Sequence, residues 1–156
     1  MVRNMDDMHN KLALNAALKY LAIRDRTTAQ VREHLRKQEH PEESIEYAVE
    51  RLTFRKILDD ARFASNWIAE RARKGYGEER IARELAGKGI GSEQSGDIEA
   101  AGSSDSAQKL AERYIRRYGT DINTKRKAYA ALRRRGFTNE QAKAAINKAI
   151  FCLECN

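Results

Sequence analysis

The side chains of this sequence best suited to chemistry are clustered arginines and lysines. The first group comprises Arg73, Lys74, Arg80, Arg83 and Lys88. The second group comprises Lys125, Arg126, Lys127, Arg133, Arg134 and Arg135. Arginine presents planar, bidentate hydrogen-bond donors that match phosphate and carboxylate groups, and lysine presents a compact point charge. The clusters therefore predict an anionic partner, and they do not by themselves distinguish a nucleic acid from an acidic protein surface.

The excess of positive charge lies in the last third of the chain. Residues 107–150 contain 12 lysines and arginines against 3 acidic residues, whereas residues 1–59 contain 11 against 10. A localised basic surface attracts polyanions and speeds encounter with them. The alternative is an ordinary solvated helix surface, since the same residues also keep helices soluble. We favour a polyanionic partner because the charge is concentrated in one segment.

The candidates for metal and thiol chemistry are Cys152 and Cys155, which form a single C-x-x-C pair. A structural zinc site requires four ligands, and the three histidines, at positions 9, 34 and 40, are all far away in the sequence. Two free thiols in a frayed carboxyl-terminal tail are the favoured interpretation. We therefore predict no metal and no cofactor.

Two further motifs resemble catalytic or phosphate sites. Asp59 and Asp60 look like a carboxylate pair, but adjacent residues at a helix start point apart, so helix capping is the favoured role. Gly87-Lys88-Gly89 follows a predicted helix rather than a strand, so it is interpreted as a helix stop with Gly89 in the left-handed conformation. No Ser–His–Asp set can be assigned. These observations predict a binding protein without catalytic residues or a small-molecule ligand.

The amino-terminal segment and the overall hydropathy indicate where in the cell the protein is expected. The first ten residues are polar and charged, without the apolar stretch of a signal peptide. No segment has enough consecutive apolar residues to span a membrane. We expect a cytoplasmic protein with no membrane partner.

The elements that position these residues repeat along the chain. Aromatic–aliphatic pairs begin at Tyr20, Trp67 and Tyr114, with a constant spacing of 47 residues. This period predicts three repeats, over residues 10–52, 60–101 and 106–150, with flexible tails at 1–9 and 151–156. The three aromatic rings could stack on bases, but their recurrence in one frame favours core packing.

The sequence pattern of each repeat predicts three helices. No segment shows the sustained alternation of apolar and polar residues that is typical of a strand. Thr27 with Gln30, and Thr138 with Gln141, have the spacing of helix-capping boxes. A segment rich in glycine and serine, residues 91–106, predicts a weak helix and a flexible linker. We therefore expect an all-α fold of three tandem three-helix repeats in an elongated, curved array, with a long surface suited to an extended partner.

Four motifs in this order resemble the RecX family over roughly residues 11–150. They comprise Tyr20-Leu21-Ala22 with Arg24; Leu58 to Ala64, with Asp59, Asp60, Arg62 and Phe63, followed by Trp67; Arg73-Lys74-Gly75-Tyr76-Gly77 with Leu85 and Lys88-Gly89-Ile90; and Leu132 to Phe137, with Gly136. The combination is far more specific than any one motif. The family usually has glycine at the position of Lys56, so the turn there is expected to be more helical than usual.

The resemblance implies a regulator of the RecA recombinase that lies in the groove of its filament on single-stranded DNA. Such a regulator inhibits strand exchange, ATP hydrolysis and the co-protease activity, and it has a role in DNA repair and the SOS response. Arg24 and the two basic clusters would then contact the filament or DNA. The remaining alternatives are a sequence-nonspecific DNA-binding protein, which could also take double-stranded DNA, and a scaffold for acidic peptides, whose repeat period would be shorter.

Overall fold

The computed structural model of the chain describes residues 2–93, 98 and 104–155. These residues form eight α-helices and no strand, which confirms the all-α prediction. The helices are α1 (Val2–Ile23), α2 (Thr28–Lys37), α3 (Glu42–Phe54), α4 (Asp60–Arg73), α5 (Glu78–Ala86), α6 (Ser104–Tyr118), α7 (Ile122–Arg134) and α8 (Asn139–Glu154). The weak helix and linker predicted for residues 91–106 fall largely outside the described residues.

The chain divides into two compact units, residues 1–64 with 86–94 and residues 65–85 with 95–156. In the first unit α1, α2 and α3 pack against one another around a buried apolar cluster. Its members recur every three or four positions on each helix, and they are Ala13, Ala17, Val31, Leu35, Ile45, Ala48, Val49, Leu52 and Leu58. Helices this short are marginal in isolation, so burial of these stripes is what stabilises them.

In the second unit α6, α7 and α8 surround an equivalent core. It contains many alanines, which allow close helix approach, and its largest side chain is Phe137, which is fully buried. The residues are Ala107, Leu110, Ala111, Ile115, Ala128, Leu132, Phe137, Ala142, Ala145, Ile146 and Ala149. Tyr114 packs on this cluster and Tyr20 on that of the first unit, so these two rings take the core role that their recurrence favours.

Short-range signals in the sequence start several helices as predicted. Thr27 and Gln30 form a reciprocal capping box at α2, and Thr138 and Gln141 form one at α8. The adjacent aspartates divide the capping between two helices. Asp59 Oδ1 accepts the Arg62 N–H at 2.9 Å, so it caps its own helix α4. Asp60 Oδ1 instead accepts the Thr28 N–H at 2.8 Å and the Thr28 hydroxyl at 3.1 Å, which supplements the cap of α2.

The turn at Lys56 differs from the expectation of a more helical connection. Helix α3 ends at Phe54, and Lys56 has φ +57°, a left-handed conformation that usually requires glycine. The turn brings the Leu58 N–H to the Leu52 carbonyl at 3.1 Å and places Leu58 in the core at 1% exposure. Burial of Leu58 offsets the backbone strain at Lys56.

The terminal helices reach into both segments predicted as flexible tails. Residues 2–9 belong to α1 and residues 151–154 to α8, and Cys155 follows in a turn. An exposed Asp7–Lys11 pair at 2.9 Å, spaced by one helical turn, supports the extension of α1.

In each unit, the turn that ends one helix packs on the start of another. In the first unit Gly89, which follows α5 with φ +79°, lies against Ala29 in the first turn of α2. A Cβ at Gly89 would lie 2.3 Å from the Ala29 Cβ, so a larger residue does not fit. The neighbouring Lys88 carbonyl accepts the Thr27 hydroxyl at 2.6 Å.

The second unit repeats this contact with backbone donors. Gly136, which follows α7 with φ +89°, lies against Arg80, and a Cβ there would be 2.3 Å from the Arg80 Cβ and 2.5 Å from its backbone nitrogen. The Gly77 N–H donates to the Arg135 carbonyl at 2.8 Å, and the Glu79 N–H donates to the Gly136 carbonyl at 3.0 Å. The first turn of α5 is thus capped by carbonyl groups from the end of α7.

The equivalent turn after α2 has Glu39, with φ +59° and an exposed side chain. Among these three equivalent turns, glycine stands at the two that pack on a helix start, at Gly89 and Gly136. A residue with a side chain can therefore adopt the left-handed conformation at this turn. Close contact with a neighbouring helix is what restricts the other two turns to glycine.

We predict that Gly136→Ala lowers the free energy of unfolding by at least ~3 kcal/mol, because the new Cβ collides with backbone atoms of α5. Gly119→Ala is the matched control, since Gly119 has φ +88° but nothing lies within 4 Å of a Cβ placed there. The control should cost about 1 kcal/mol, from the backbone conformation alone. Urea unfolding followed by circular dichroism measures both, and equal losses would contradict the close contact at Gly136.

We also predict that Lys56→Gly raises the free energy of unfolding by about 0.5–1 kcal/mol, because glycine adopts the left-handed conformation without strain. The gain is reduced by the greater freedom of glycine in the unfolded chain. The same unfolding measurement applies, with Lys56→Ala as the control that should leave the stability nearly unchanged. A loss of stability in the glycine variant would show that the turn is not strained.

Candidate anion-binding surface

Several basic residues of the first unit are engaged by carboxylates. Arg32 Nε lies 2.7 Å from Glu46 Oε1, and Lys37 Nζ lies 2.7 Å from Glu33 Oε1. The hydrogen bond from Arg32 lowers the pKa of the Glu46 carboxyl, so this pair stays ionised at neutral pH. Arg36 is paired with Glu42 in the same way. A partner anion that bound these side chains would have to displace an internal carboxylate.

Lys74 and Arg80 of the predicted basic cluster around α4 and α5 are also engaged by carboxylates. Glu84 bridges two arginines, with Arg71 Nε at 2.7 Å and Arg80 Nε at 3.0 Å. The Arg71 guanidinium also lies 4.2 Å from the centroid of the Trp67 ring, which is half-buried. Lys74 Nζ lies 2.5 Å from Glu70. Trp67, Arg71 and Arg80 therefore form a structural cluster rather than an open basic patch.

The arginine triplet is divided by the turn at Gly136. Arg133 and Arg135, predicted as contacts for a partner, both bind neighbouring elements of the second unit. Arg133 Nη1 lies 3.0 Å from Glu79 Oε1 and 2.6 Å from the Phe137 carbonyl. Arg135 Nη1 donates to the Lys74 and Gly75 carbonyls at 3.3 and 3.4 Å. Both arginines flank the contact between α7 and α5. Arg133 thereby reaches Glu79, which lies in the first turn of α5.

The other predicted contact residues are more dispersed. Arg73 is exposed at the end of α4, and Arg83 is exposed on α5 with Nε donating to the Glu79 carbonyl at 3.3 Å. Arg24, exposed after α1, and Lys88, half-buried after α5, belong to the first unit. The predicted set is therefore distributed over both units.

Four predicted residues remain available on α7, and we call them the α7 cations: Lys125, Arg126, Lys127 and Arg134. Within the described ranges no carboxylate lies within 4.0 Å of any of them. Arg126, Lys127 and Arg134 are exposed, and Lys125 is half-buried. Ala128 and Leu132 turn one side of α7 into the core, Lys125 lies at the edge of that side, and Arg126, Lys127 and Arg134 lie away from it in solvent.

Sequence reasoning missed two further sets of cations. Lys109, Arg113, Arg116 and Arg117 line an open depression on α6, together with Glu112, whose carboxylate accepts a hydrogen bond from Gln108 at 2.8 Å. Their spacing of three or four residues, opposite an apolar stripe, is a signal that could have identified them. Lys143 of α8 faces Lys125 and Arg126 of α7, and no local pattern indicates that proximity.

The helices α7 and α8 enclose an open groove of about 380 Å³. It is lined by Lys125, Arg126 and Tyr129 from α7 and by Lys143, Ile146 and Asn147 from α8. No acidic residue is among these six. The groove thus combines a basic rim with a partly apolar floor.

Other candidate chemistry is not assembled by the fold. In the part of the chain that the structure describes, no three His, Cys, Asp or Glu side chains come together as a metal site. The side chains of Cys152 and Cys155 are both exposed. None of the described helices combines the length and apolar character needed to cross a membrane. The arrangement is suited to binding an anion through the third repeat.

The comparisons with known proteins agree with the three-repeat organisation. Models of the RecX family match in order: its first three-helix domain at residues 13–52, its second at 59–95 and its third at 104–146. The regulatory protein RecX of Prosthecochloris aestuarii is 30% identical over 153 residues, covering 94% of this chain and 99% of that protein. That of Ectopseudomonas mendocina is 36% identical over 115 residues, covering 71% and 75%.

The fold comparison agrees. The crystal structure of RecX from Lactobacillus salivarius has a TM-score of 0.84 and 23% sequence identity, covering 92% of this chain and 97% of that one. The predicted fold class of three tandem three-helix repeats is therefore confirmed. With family models matching all three repeats and a relative aligned over nearly the whole length, this chain belongs to the RecX family of regulatory proteins.

Proposed function

We propose that this protein binds the RecA filament on single-stranded DNA, in the cytoplasm, and inhibits its recombinase, ATPase and co-protease activities. Family membership supports a regulatory role, because the curated relatives are named regulatory proteins. The observation that carries the proposal is the group of α7 cations without internal carboxylate partners. The role requires binding alone and no catalytic residue.

The absence of internal partners decides which cations can contribute to affinity. An anion that reaches Arg126 or Arg134 gains an ion pair without breaking one, whereas an anion that reaches Arg32 must compete with Glu46. Each exposed ion pair contributes only about 0.2–1 kcal/mol, so several must form together. A filament presents the same subunit many times, which allows weak contacts to add.

A sequence-nonspecific DNA-binding protein is the second candidate. The cations of α6 favour it, because Arg113, Arg116 and Arg117 also have no carboxylate partner within the described ranges. Such a surface would neutralise phosphates whatever the base sequence. The two candidates differ in whether recombinase on the DNA strengthens or blocks binding.

We expect neutralisation of three α7 cations, in the variant Arg126→Gln, Lys127→Gln and Arg134→Gln, to weaken inhibition of DNA-dependent ATP hydrolysis by the cognate recombinase. Removing three contacts should raise the inhibitory concentration about 10- to 100-fold. Arg133 and Arg135 are left unchanged, because they stabilise the contact between α7 and α5.

The matched control for this variant is Lys11→Gln, Lys19→Gln and Lys37→Gln, which removes the same charge from exposed positions of the first unit. It should inhibit as the unaltered protein does. Circular dichroism verifies that both variants keep their helices. Equal inhibition by the two variants would remove the α7 cations from the binding surface.

We further expect tighter binding to recombinase-coated single-stranded DNA than to bare single- or double-stranded DNA at one salt concentration. Fluorescence anisotropy with a labelled oligonucleotide measures all three. Affinity should fall steeply as salt rises, because exposed charges are screened and counterions are released. Preference for bare DNA would favour the second candidate, and an affinity independent of salt would contradict a charged contact surface.

A further inference from the structure

We propose that the groove between α7 and α8 binds an acidic peptide segment in which one apolar side chain stands between acidic residues. The proposal rests on the proposed function for the identity of the partner, which would be the recombinase. It goes further by naming a site and the chemistry of the segment that occupies it.

The rim of the groove supplies the selectivity for acidic residues. Lys125 and Arg126 lie on one side and Lys143 on the other, and within the described ranges none of the three has a carboxylate partner. The nearest acid along α8, Glu140, lines a different depression with Gln108 and Lys148. A segment lying between the helices would therefore meet positive charge on both sides.

The floor supplies the selectivity for an apolar side chain. Ile146 forms part of it, and Tyr129 lies beside it with the hydroxyl donating to Asn139 Oδ1 at 2.9 Å. Ile146 is only 6% exposed, so the favourable free energy comes mainly from removing the incoming aliphatic side chain itself from water. The basic rim alone would bind any anion, but the apolar floor distinguishes a leucine-like anchor from a polar one.

The same floor argues against a nucleotide as the occupant. Nucleic-acid surfaces of this size stack bases on exposed aromatic faces. Tyr129 is the one aromatic residue that lines the groove, and its ring is half-buried against the core of the second unit, so the groove does not offer a series of rings for successive bases. The other lining side chain with apolar atoms, Ile146, cannot stack. The observations therefore favour a peptide over single-stranded DNA.

Nuclear magnetic resonance of the full-length, nitrogen-15-labelled protein tests the groove directly. The probes are two end-blocked pentapeptides with four glutamates around a central leucine or a central serine, and an oligothymidylate with four phosphates. The leucine peptide should shift the amide signals of residues 125–129 and 143–147. It should bind about tenfold more tightly than the serine peptide, because only leucine buries apolar area.

The double variant Lys125→Glu and Lys143→Glu should lose binding of the leucine peptide. Lys19→Glu with Arg55→Glu is the matched control, because it makes the same charge change at exposed positions outside the groove. The control should retain the groove signals and bind within about threefold of the unaltered protein, since it leaves every residue that lines the groove unchanged.

Three outcomes would overturn the groove assignment: equal affinity for the leucine and serine peptides, signal changes confined to α6, or tighter groove binding by the oligothymidylate. Assays of ATP hydrolysis by the filament distinguish failure of the groove proposal from failure of the proposed function. Peptide binding with undiminished inhibition by the Lys125→Glu, Lys143→Glu variant would overturn the recombinase as the source of the segment and leave inhibition standing. Failure of the unaltered protein to inhibit would overturn the proposed function, while the peptide measurements still decide the groove.

Discussion

The contact on which the structure depends joins the carbonyl end of one helix to the donor end of another. In the second unit the carbonyls of Arg135 and Gly136 accept the N–H groups of Gly77 and Glu79. Both partners are groups that a helix leaves unsatisfied at its ends, and the oppositely signed ends of the two helix dipoles add a favourable term. The approach is so close that only glycine fits at position 136.

That contact also decides which arginines are available to a partner. Arg133 and Arg135 stand on either side of Gly136, so the packing that buries the turn directs them to Glu79 and to backbone carbonyls. Arg134, between them in the sequence, is directed to solvent. Two arginines of the basic triplet therefore stabilise the fold, and the third, Arg134, is the one that a partner could reach.

The division gives the third repeat its chemical character. Carboxylates in the first unit and around α4 and α5 engage several of the local cations, and Lys109 of α6 pairs with Asp105. Within the described ranges the α7 cations have no such partner, nor do the arginines of α6, which are Arg113, Arg116 and Arg117. Charge that is not consumed internally is the part that can attract a polyanion. For a family of regulatory proteins, this allows binding without a catalytic site, and the groove beside α7 adds an apolar contact that charge alone lacks.

The sequence by itself determined the features that depend on neighbours within one helical turn. The repeat period, the apolar stripes, the capping boxes at Thr27 and Thr138 and the left-handed Gly89 all follow from local spacing, because hydrogen bonds and side-chain contacts in a helix join residues three or four apart. Placement of the basic excess in the last repeat is likewise a property of the chain.

Only the tertiary structure decided what depends on residues distant in the sequence. Asp60 caps α2 through Thr28, Arg133 reaches Glu79, and Lys143 joins Lys125 at one groove. Lys56 adopts a glycine-like conformation because the turn delivers Leu58 to the core. Which partner a long polar side chain finds is set by the packing of whole helices, and that packing balances many contacts that no single stretch of sequence contains.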